Sequence, residues 1–202
     1  MSRRGLLGAL AGTSATVVGL SVGQTLDGPL RGTALLAPRG YTSGTDPNDF
    51  AINKTAAAAG IDPAGTGPPW RLQLTGARSV ALSRAELLEL PQHTYRLPIS
   101  CVEGWSTEQS WTGVRLIDLA RLAGVEDPEL VSVGSLQPTG PFGSASLSAR
   151  QVADERSLLA LRVNGADLSL DHGFPARIIV PAAPGVHCTK WVAMMRFQER
   201  SR

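Results

Sequence analysis

The sequence has little cysteine, few aromatic residues and almost no excess charge. Its 202 residues include two cysteines, Cys101 and Cys188. Two cysteines cannot build a scaffold of several disulfides or a zinc or iron–sulfur site with four protein sulfur ligands. The formal net charge is +2, without a basic run, which argues against nucleic acid as the main partner. No βαβ alternation or glycine-rich phosphate loop is present, so nucleotide-binding folds are poor candidates.

The residues that are abundant predict a strand-rich globular domain. Hydrophobic residues make up 43% of the chain, and there are 22 glycines and 14 prolines, which favours a buried core with many turns and short strands. Local patterns predict an α+β fold of mixed short strands and helices over residues 41–202. The patterns predict strands over 70–75, 177–180 and 190–197, helices after Ser83 and over 112–124, and a hairpin of 158–163 with 166–170 around Asn164-Gly165.

Residues 1–40 are interpreted as a twin-arginine-like signal or a membrane anchor with its linker. Arg3 and Arg4 precede a stretch without charge that runs from Gly5 to Leu26, which is typical of an export signal and long enough to span a bilayer. The same stretch would suit the last helix of a longer membrane protein, and a buried soluble helix is a further alternative. The expected location is the extracytoplasmic face of the cytoplasmic membrane or the cell envelope.

Cys101 ends an extended run and is followed by Glu103 and Trp105. A thiolate can be a nucleophile, a metal ligand or half of a disulfide. A nucleophile would need a base, and nothing local shows which of the three histidines could approach. A buried apolar cysteine and a structural disulfide with Cys188 are the ordinary alternatives, and the residues alone leave all of these open.

Two blocks of residues carry a resemblance to a known family. The first is Cys101-Val102-Glu103-Gly104-Trp105-Ser106, followed by Trp111, Gly113, Val114 and Leu116; the second runs from Asp171-His172-Gly173-Phe174-Pro175 through Arg177 and Pro181 to Gly185 and Thr189-Lys190-Trp191. Together they resemble the molybdopterin-binding catalytic domain of the sulfite oxidase superfamily. Within it they are most similar to the bacterial exported branch that includes the catalytic subunit of periplasmic methionine-sulfoxide reductase. The resemblance covers residues 45–199.

The resemblance implies a molybdopterin cofactor and a set of residues that hold it. Cys101 falls on the position of the single protein ligand to molybdenum, a role that suits a soft thiolate. Glu103 would face the metal pocket as a second catalytic residue, although it could be an ordinary loop carboxylate. The other positions that the resemblance assigns to the cofactor are Asn48, Ser135, His172, Arg177, Cys188, Thr189 and Lys190, each of which taken singly also has an ordinary structural explanation.

The implied activity is oxygen-atom transfer, or a related two-electron step, on a small substrate of the sulfoxide or oxyanion type. True sulfite oxidases carry an arginine-rich stretch after the ligand cysteine, whereas this chain has Val102-Glu103-Gly104, which puts sulfite itself in doubt. The sequence has no Cys-x-x-Cys-His haem site, so a separate electron-transfer protein, such as a membrane cytochrome, is the expected partner. The alternatives are a non-catalytic exported binding module stapled by a Cys101–Cys188 disulfide and a thiol-dependent hydrolase.

Overall fold

The computed structural model describes residues 39–40, 45–100, 105–140, 142–181 and 187–200. Cys101, Glu103 and most of the segment interpreted as a signal or anchor lie outside these ranges. Within the described ranges, no helix has the length and apolar character needed to cross a membrane.

Eleven strands and four short helices make up the described part of the chain. The strands are β1 (Arg39–Gly40), β2 (Leu72–Thr75), β3 (Ser79–Leu82), β4 (His93–Ser100), β5 (Trp105–Arg115), β6 (Pro128–Ser135), β7 (Ser144–Ser148), β8 (Leu158–Val163), β9 (Ala166–Asp167), β10 (Arg177–Ile179) and β11 (Val192–Glu199). The helices are α1 (Ala56–Ala59), α2 (Arg84–Glu89), α3 (Leu116–Leu122) and α4 (Ala149–Ala153), with 3-10 turns at Pro63–Thr66 and Leu170–His172. The predicted α+β class is therefore confirmed.

The strands form two mixed sheets that enclose the main core. In the first sheet the order is β1-β5-β8-β10, with β4 paired to β5 and β9 to β8; the second sheet has the order β3-β2-β11-β6-β7. Strands β1 and β5 are parallel, as are β2 and β11, and the other pairs are antiparallel. Both sheets contribute side chains to one large cluster, which includes Leu72, Val131, Leu159, Ile178 and Met195.

Local sequence signals predicted some boundaries well and others poorly. Ser83 caps α2 with the reciprocal bonds to Glu86 that its capping box predicts. Asn164 and Gly165 both have positive φ angles, 51° and 83°, as the predicted hairpin turn requires. The strand after this turn is shorter than predicted, because only Ala166–Asp167 pairs with β8 before the chain enters the 3-10 turn.

The helix predicted over 112–124 is wrong at its beginning. Residues 112–115 belong to β5, where Thr112 pairs with Arg162 and Val114 with Leu159. The helical spacing of the leucines does start at Leu116, but the residues before it take part in long-range strand pairing, which a local pattern does not report.

A second, smaller core lies on the face of the first sheet that carries Trp111. It packs Phe50 and Cys188 against Leu97, Ile99 and Ile179, among others. This core is the floor on which the candidate site is built.

Candidate cofactor site

Strand β10 and the segment 187–192 meet at one edge of the first sheet. Ile178 N donates to Thr189 O at 2.9 Å, and Val192 N donates to Ala176 O at 2.9 Å. Gly173 lies beside these segments with a φ of +110°, which strains any other residue, and a Cβ there would be tightly placed, 3.1 Å from the Cβ atoms of both Arg177 and Lys190. A glycine is therefore required where the two cationic residues approach each other.

Arg177 is a buried cation for which the described residues provide no carboxylate. Its side chain is 6% exposed, and its Nη1 and Nη2 donate to the carbonyl oxygens of His172 at 3.0 Å and Cys188 at 3.4 Å. The guanidinium lies over the Trp111 ring, 5.1 Å from its centroid. Burial lowers the pKa of Arg177 to about 10, so the group is still charged at neutral pH. A buried charge is normally paired, and the described residues leave this one open to an anionic ligand.

Other unpartnered polar atoms belong to the segment that pairs with β10. Of the seven buried side-chain polar atoms in the described residues that lack a hydrogen-bond partner, three belong to this edge of the sheet: Arg177 Nε, Thr189 Oγ1 and His187 Nδ1. Buried donors without partners are rare and each requires an explanation. An anionic ligand with several oxygens would supply acceptors for such a group of atoms.

Lys190 adds a second buried cation, which also ties loops together. Its side chain is 8% exposed, and Nζ donates to the carbonyl oxygens of Lys54 and, at 2.8 Å, Asp171. The ammonium also lies 4.5 Å from the centroid of the Trp191 ring. Lys190 therefore brings positive charge to the site and fixes the two loops beside it.

His172 is held as a neutral imidazole with one nitrogen available. The ring is 2% exposed and stacks on Phe50, with centroids 3.7 Å apart. Nε2 is 2.8 Å from Asn48 O, and because a carbonyl can only accept, Nε2 carries the proton. Burial, and next the charge of Arg177, lower the pKa of His172 to about 4. Nδ1 is left as an acceptor for a donor of a bound group.

Asn48 and Ser135 touch the framework of the site, and their polar groups are already used. Asn48 Nδ2 donates to Asp167 O at 3.0 Å, and Asn48 Oδ1 accepts from Ser169 N at 2.8 Å. Ser135 Oγ donates to Lys190 O at 2.7 Å and accepts from Gln137 N at 3.0 Å. The side chains of Asn48 and Ser135 therefore hold backbone beside His172 and Lys190, and the structure shows no free polar group on either for a cofactor.

Cys188 is a free, buried cysteine in the structure. Burial raises the pKa of its thiol, so it is not an activated nucleophile. Because Cys188 carries no disulfide, the structure does not support the alternative in which it is joined to Cys101. Its backbone carbonyl, by contrast, is in use, since it accepts from Arg177.

Sequence reasoning missed two residues on which the site is built. Trp111 is fully buried under Arg177, and Phe50 packs against its ring edge-on at 5.8 Å while stacking on His172. Both could have been found, because Trp111 belongs to the first quoted block and Phe50 follows Asn48 by two residues. Neither carries a polar group that pattern reasoning looks for.

The chemistry of these groups fits molybdopterin. Within the described ranges, no group of three or more His, Cys, Asp or Glu residues is placed to hold a metal ion by itself. What the site has is buried cations, unpartnered donors and one imidazole acceptor, which match a ligand with a phosphate and a polar ring. A cofactor that brings its own metal ligands needs only this kind of support from the protein.

Comparison with known proteins agrees with this assignment. Residues 60–202 match the family model described as the oxidoreductase molybdopterin binding domain. The mitochondrial sulfite oxidase of Drosophila melanogaster is 31% identical over 186 residues, covering 78% of this chain and 31% of that protein. The uncharacterized oxidoreductase YuiH of Bacillus subtilis is 31% identical over 136 residues, covering 65% of this chain and 67% of that protein.

A solved structure shares the fold at lower sequence identity. The crystal structure of the sulfane dehydrogenase SoxCD from Paracoccus pantotrophus matches with a TM-score of 0.60 and 19% identity, covering 86% of this chain and 54% of that one. The chain spans less than a third of the length of the sulfite oxidase it matches. These matches and the geometry agree, and the chain belongs to the oxidoreductase molybdopterin-binding domain family of the sulfite oxidase superfamily, whose cofactor is molybdopterin.

Proposed function

We propose that this chain is the catalytic domain of a molybdenum-dependent oxidoreductase that acts on a small oxygen-bearing substrate. The observation that carries the proposal is the buried Arg177 guanidinium, which has no carboxylate among the described residues and leaves Nε unpartnered. The cofactor, when bound, supplies a two-electron redox centre at which an oxygen atom can be transferred.

The residues of the chain divide the work of holding this group. Arg177, Thr189 and Lys190 would bind the anionic phosphate end, since two are buried cations and the third has a buried, unpartnered hydroxyl. His172 would accept a hydrogen bond from the pterin edge through Nδ1, at a position set by Asn48. Cys101 would give the metal its one protein thiolate, a soft ligand that suits a sulfur-rich site.

Glu103 is proposed to act on the substrate side of the metal. It stands two residues after the proposed ligand, where a carboxylate could orient a bound water or hold a proton. The stretch Val102-Glu103-Gly104 carries no positive charge, so a dianion such as sulfite would find no cationic partner there. A neutral sulfoxide or a weakly charged oxyanion suits this stretch better.

The electron partner and the location are part of the same proposal. The 202 residues contain no Cys-x-x-Cys-His haem motif, so electrons would pass to or from a group outside them, such as a membrane cytochrome. The arginine pair and uncharged stretch at residues 3–26 support export to the outer face of the cytoplasmic membrane. Replacing both Arg3 and Arg4 by Lys, which keeps the charge, should leave the protein in the cytoplasm on cell fractionation. Normal export of this variant would contradict the twin-arginine route, and wild-type protein found in the cytoplasmic fraction would contradict the location.

Metal analysis tests the cofactor assignment directly. The protein is purified from a host that makes molybdopterin, together with Cys101→Ser and the matched control Cys188→Ser. We expect close to one molybdenum per chain in the wild type and in Cys188→Ser, and loss of metal in Cys101→Ser. Metal-free wild-type protein from such a host would overturn the proposal.

A substrate panel tests the reaction. Sulfoxides, nitrogen oxides and sulfite are offered to the loaded protein, with a reduced viologen dye as donor for the reductions and an oxidised dye as acceptor for sulfite. Reduction of sulfoxides with no oxidation of sulfite is the expected result. Activity on sulfite alone would overturn the substrate class while leaving the cofactor assignment intact.

A further inference from the structure

Asn164 links three segments that are far apart in the sequence. It stands in the turn between β8 and β9, and its Oδ1 accepts from Ser110 N at 3.0 Å. Its Nδ2 donates to Gln109 Oε1 at 2.7 Å and to Pro47 O at 2.8 Å. One amide side chain thus connects the hairpin turn, strand β5 and the segment at residues 46–50, which we name the strap.

The strap carries the link from Asn164 onward to the candidate site. Pro47 directly precedes Asn48, whose carbonyl oxygen accepts from His172 Nε2 and whose side chain binds Asp167 O and Ser169 N. The bond from Asn164 to Pro47 O therefore adds to the bonds that hold Asn48 in position, and the bond from Asn48 O fixes which nitrogen of His172 bears the proton.

Individual side-chain contacts hold the strap in place. It contains no helix or strand, so no regular backbone ladder determines its position. Phe50, which is 4% exposed, anchors its end against Trp111 and His172, and the Asn48 bonds anchor its middle. Near the beginning of the strap, among the described side chains, the hydrogen bond from Asn164 Nδ2 to Pro47 O connects it to the rest of the molecule.

The turn itself does not require this amide. Asn164 has a φ of 51° and Gly165 a φ of 83°, and glycine adopts both conformations without strain. The three side-chain bonds of Asn164 are therefore additional to turn formation. We propose that Asn164 is a positioning residue for the cofactor site, which holds the strap so that Asn48 keeps His172 in place to face the pterin.

Two variants of one turn separate positioning from turn formation. Asn164→Gly keeps the backbone conformation and removes the bonds to Pro47, Gln109 and Ser110. Gly165→Asn is the matched control: it strains the same turn, because Gly165 has a φ of 83°, but it keeps the Asn164 bonds and its Cβ meets nothing within 4 Å. Asn164→Asp keeps an acceptor for Ser110 N but places a carboxylate oxygen against two other oxygens, those of Pro47 and Gln109.

The first measurement is amide hydrogen exchange in cofactor-free protein. Ser169 N–H, which donates to Asn48 Oδ1, reports whether the strap is in place, and Ile178 N–H in β10 reports global stability. In Asn164→Gly we expect Ser169 to exchange about tenfold faster, the effect of losing roughly 1.4 kcal/mol of local hydrogen bonding. Ile178 should accelerate by no more than the same factor, because the lost bonds also lower the free energy of global unfolding. Asn164→Asp should show the same effect, and Gly165→Asn should match the wild type at Ser169.

The second measurement is the molybdenum content of the same proteins from a molybdopterin-producing host under limiting molybdate. This step rests on the proposed function, whereas the exchange measurement does not. We expect lower metal content in both Asn164 variants and wild-type content in Gly165→Asn. Wild-type exchange at Ser169 in both Asn164 variants, or altered exchange with full metal content, would overturn the inference.

The two proposals fail in distinguishable ways. Metal-free wild-type protein would overturn the proposed function and leave the exchange result standing as a statement about the strap. If Asn164→Gly did not fold, Asn164→Asp would decide by the same two measurements.

Discussion

Arg177 shows at the scale of one residue how a site for an anion differs from ordinary core. Its guanidinium is buried over Trp111, and its two described bonds go to carbonyl oxygens. Carbonyl oxygens satisfy hydrogen-bond donors but do not neutralise the charge. An arrangement of this kind leaves room for a bound anion to balance the charge.

Replacing Arg177 by methionine should separate binding from stability. The change removes a desolvated charge but leaves two carbonyl oxygens without donors, so we expect the free energy of unfolding of cofactor-free protein to change by no more than about 1 kcal/mol. Molybdenum content should fall below detection, because the phosphate loses its buried partner. Urea unfolding and metal analysis measure the two effects, and full metal content in this variant would contradict the role given to Arg177.

His172 predicts a pH dependence of stability in cofactor-free protein. Its pKa is about 4 in the folded protein, below the value of about 6.5 expected in the unfolded chain. The unfolded state therefore binds the extra proton first, so this contribution to stability is complete above about pH 6.5 and is lost as the pH falls toward 4. The full difference would be at most about 3 kcal/mol.

The variant His172→Asn isolates this contribution. Urea unfolding from pH 7.5 to 4 should give a shallower loss of stability in the variant than in the wild type, while carboxylates contribute equally to both. Parallel curves for the two proteins would show that His172 is not held neutral in the folded state.

At the scale of elements, β5 depends on one glycine. A Cβ at Gly113 would lie 2.0 Å from Leu159 O and 2.7 Å from Ala160 Cα, at the point where the register between β5 and β8 shifts. The neighbouring atoms are backbone, so they cannot move aside without breaking the ladder.

Gly113→Ala should therefore be strongly destabilising. We expect a loss of at least about 3 kcal/mol, since overpacking against backbone disrupts the pairing that also positions Trp111. Gly65→Ala is the control, because a Cβ at Gly65 meets nothing within 4 Å, and it should unfold like the wild type. Equal thermal midpoints for the two variants would show that β8 can yield at this position.

For the whole molecule, the site lies where several distant parts of the chain converge. The strap, β5, the turn after β9 and the segment 187–191 each contribute to it, and Lys190 alone bonds to Lys54 and Asp171. A ligand that binds only the folded arrangement stabilises all of these contacts together.

Cofactor loading should accordingly raise the thermal midpoint of the wild-type protein. Binding at 100 times Kd adds about 2.7 kcal/mol, and we expect a single transition that moves upward by several degrees on differential scanning calorimetry. Arg177→Met, prepared from the same host, should melt like cofactor-free protein. A midpoint independent of loading would place the cofactor outside the cooperative unit.

The sequence by itself determined the chemistry of this protein and much of its local structure. The two motif blocks predicted a molybdopterin cofactor, which the family match confirms, and their resemblance to the family predicted Arg177, His172 and Lys190 as residues that would hold it. The capping box at Ser83 and the Asn164-Gly165 turn were predictable for a different reason, since the bonds that form them join residues within a few positions of each other.

Only the tertiary structure decided what these residues touch. It extended β5 through Arg115 in place of a predicted helix, because strand pairing with β8 outweighs local propensity. It showed that the side-chain amide of Asn48 forms hydrogen bonds with backbone atoms and that Cys188 is a free thiol. It also placed Trp111 and Phe50 in contact beneath the candidate site. Several of these contacts join segments that are more than a hundred residues apart along the chain. A sequence pattern does not report them, because their energy comes from packing that exists only after the chain has folded.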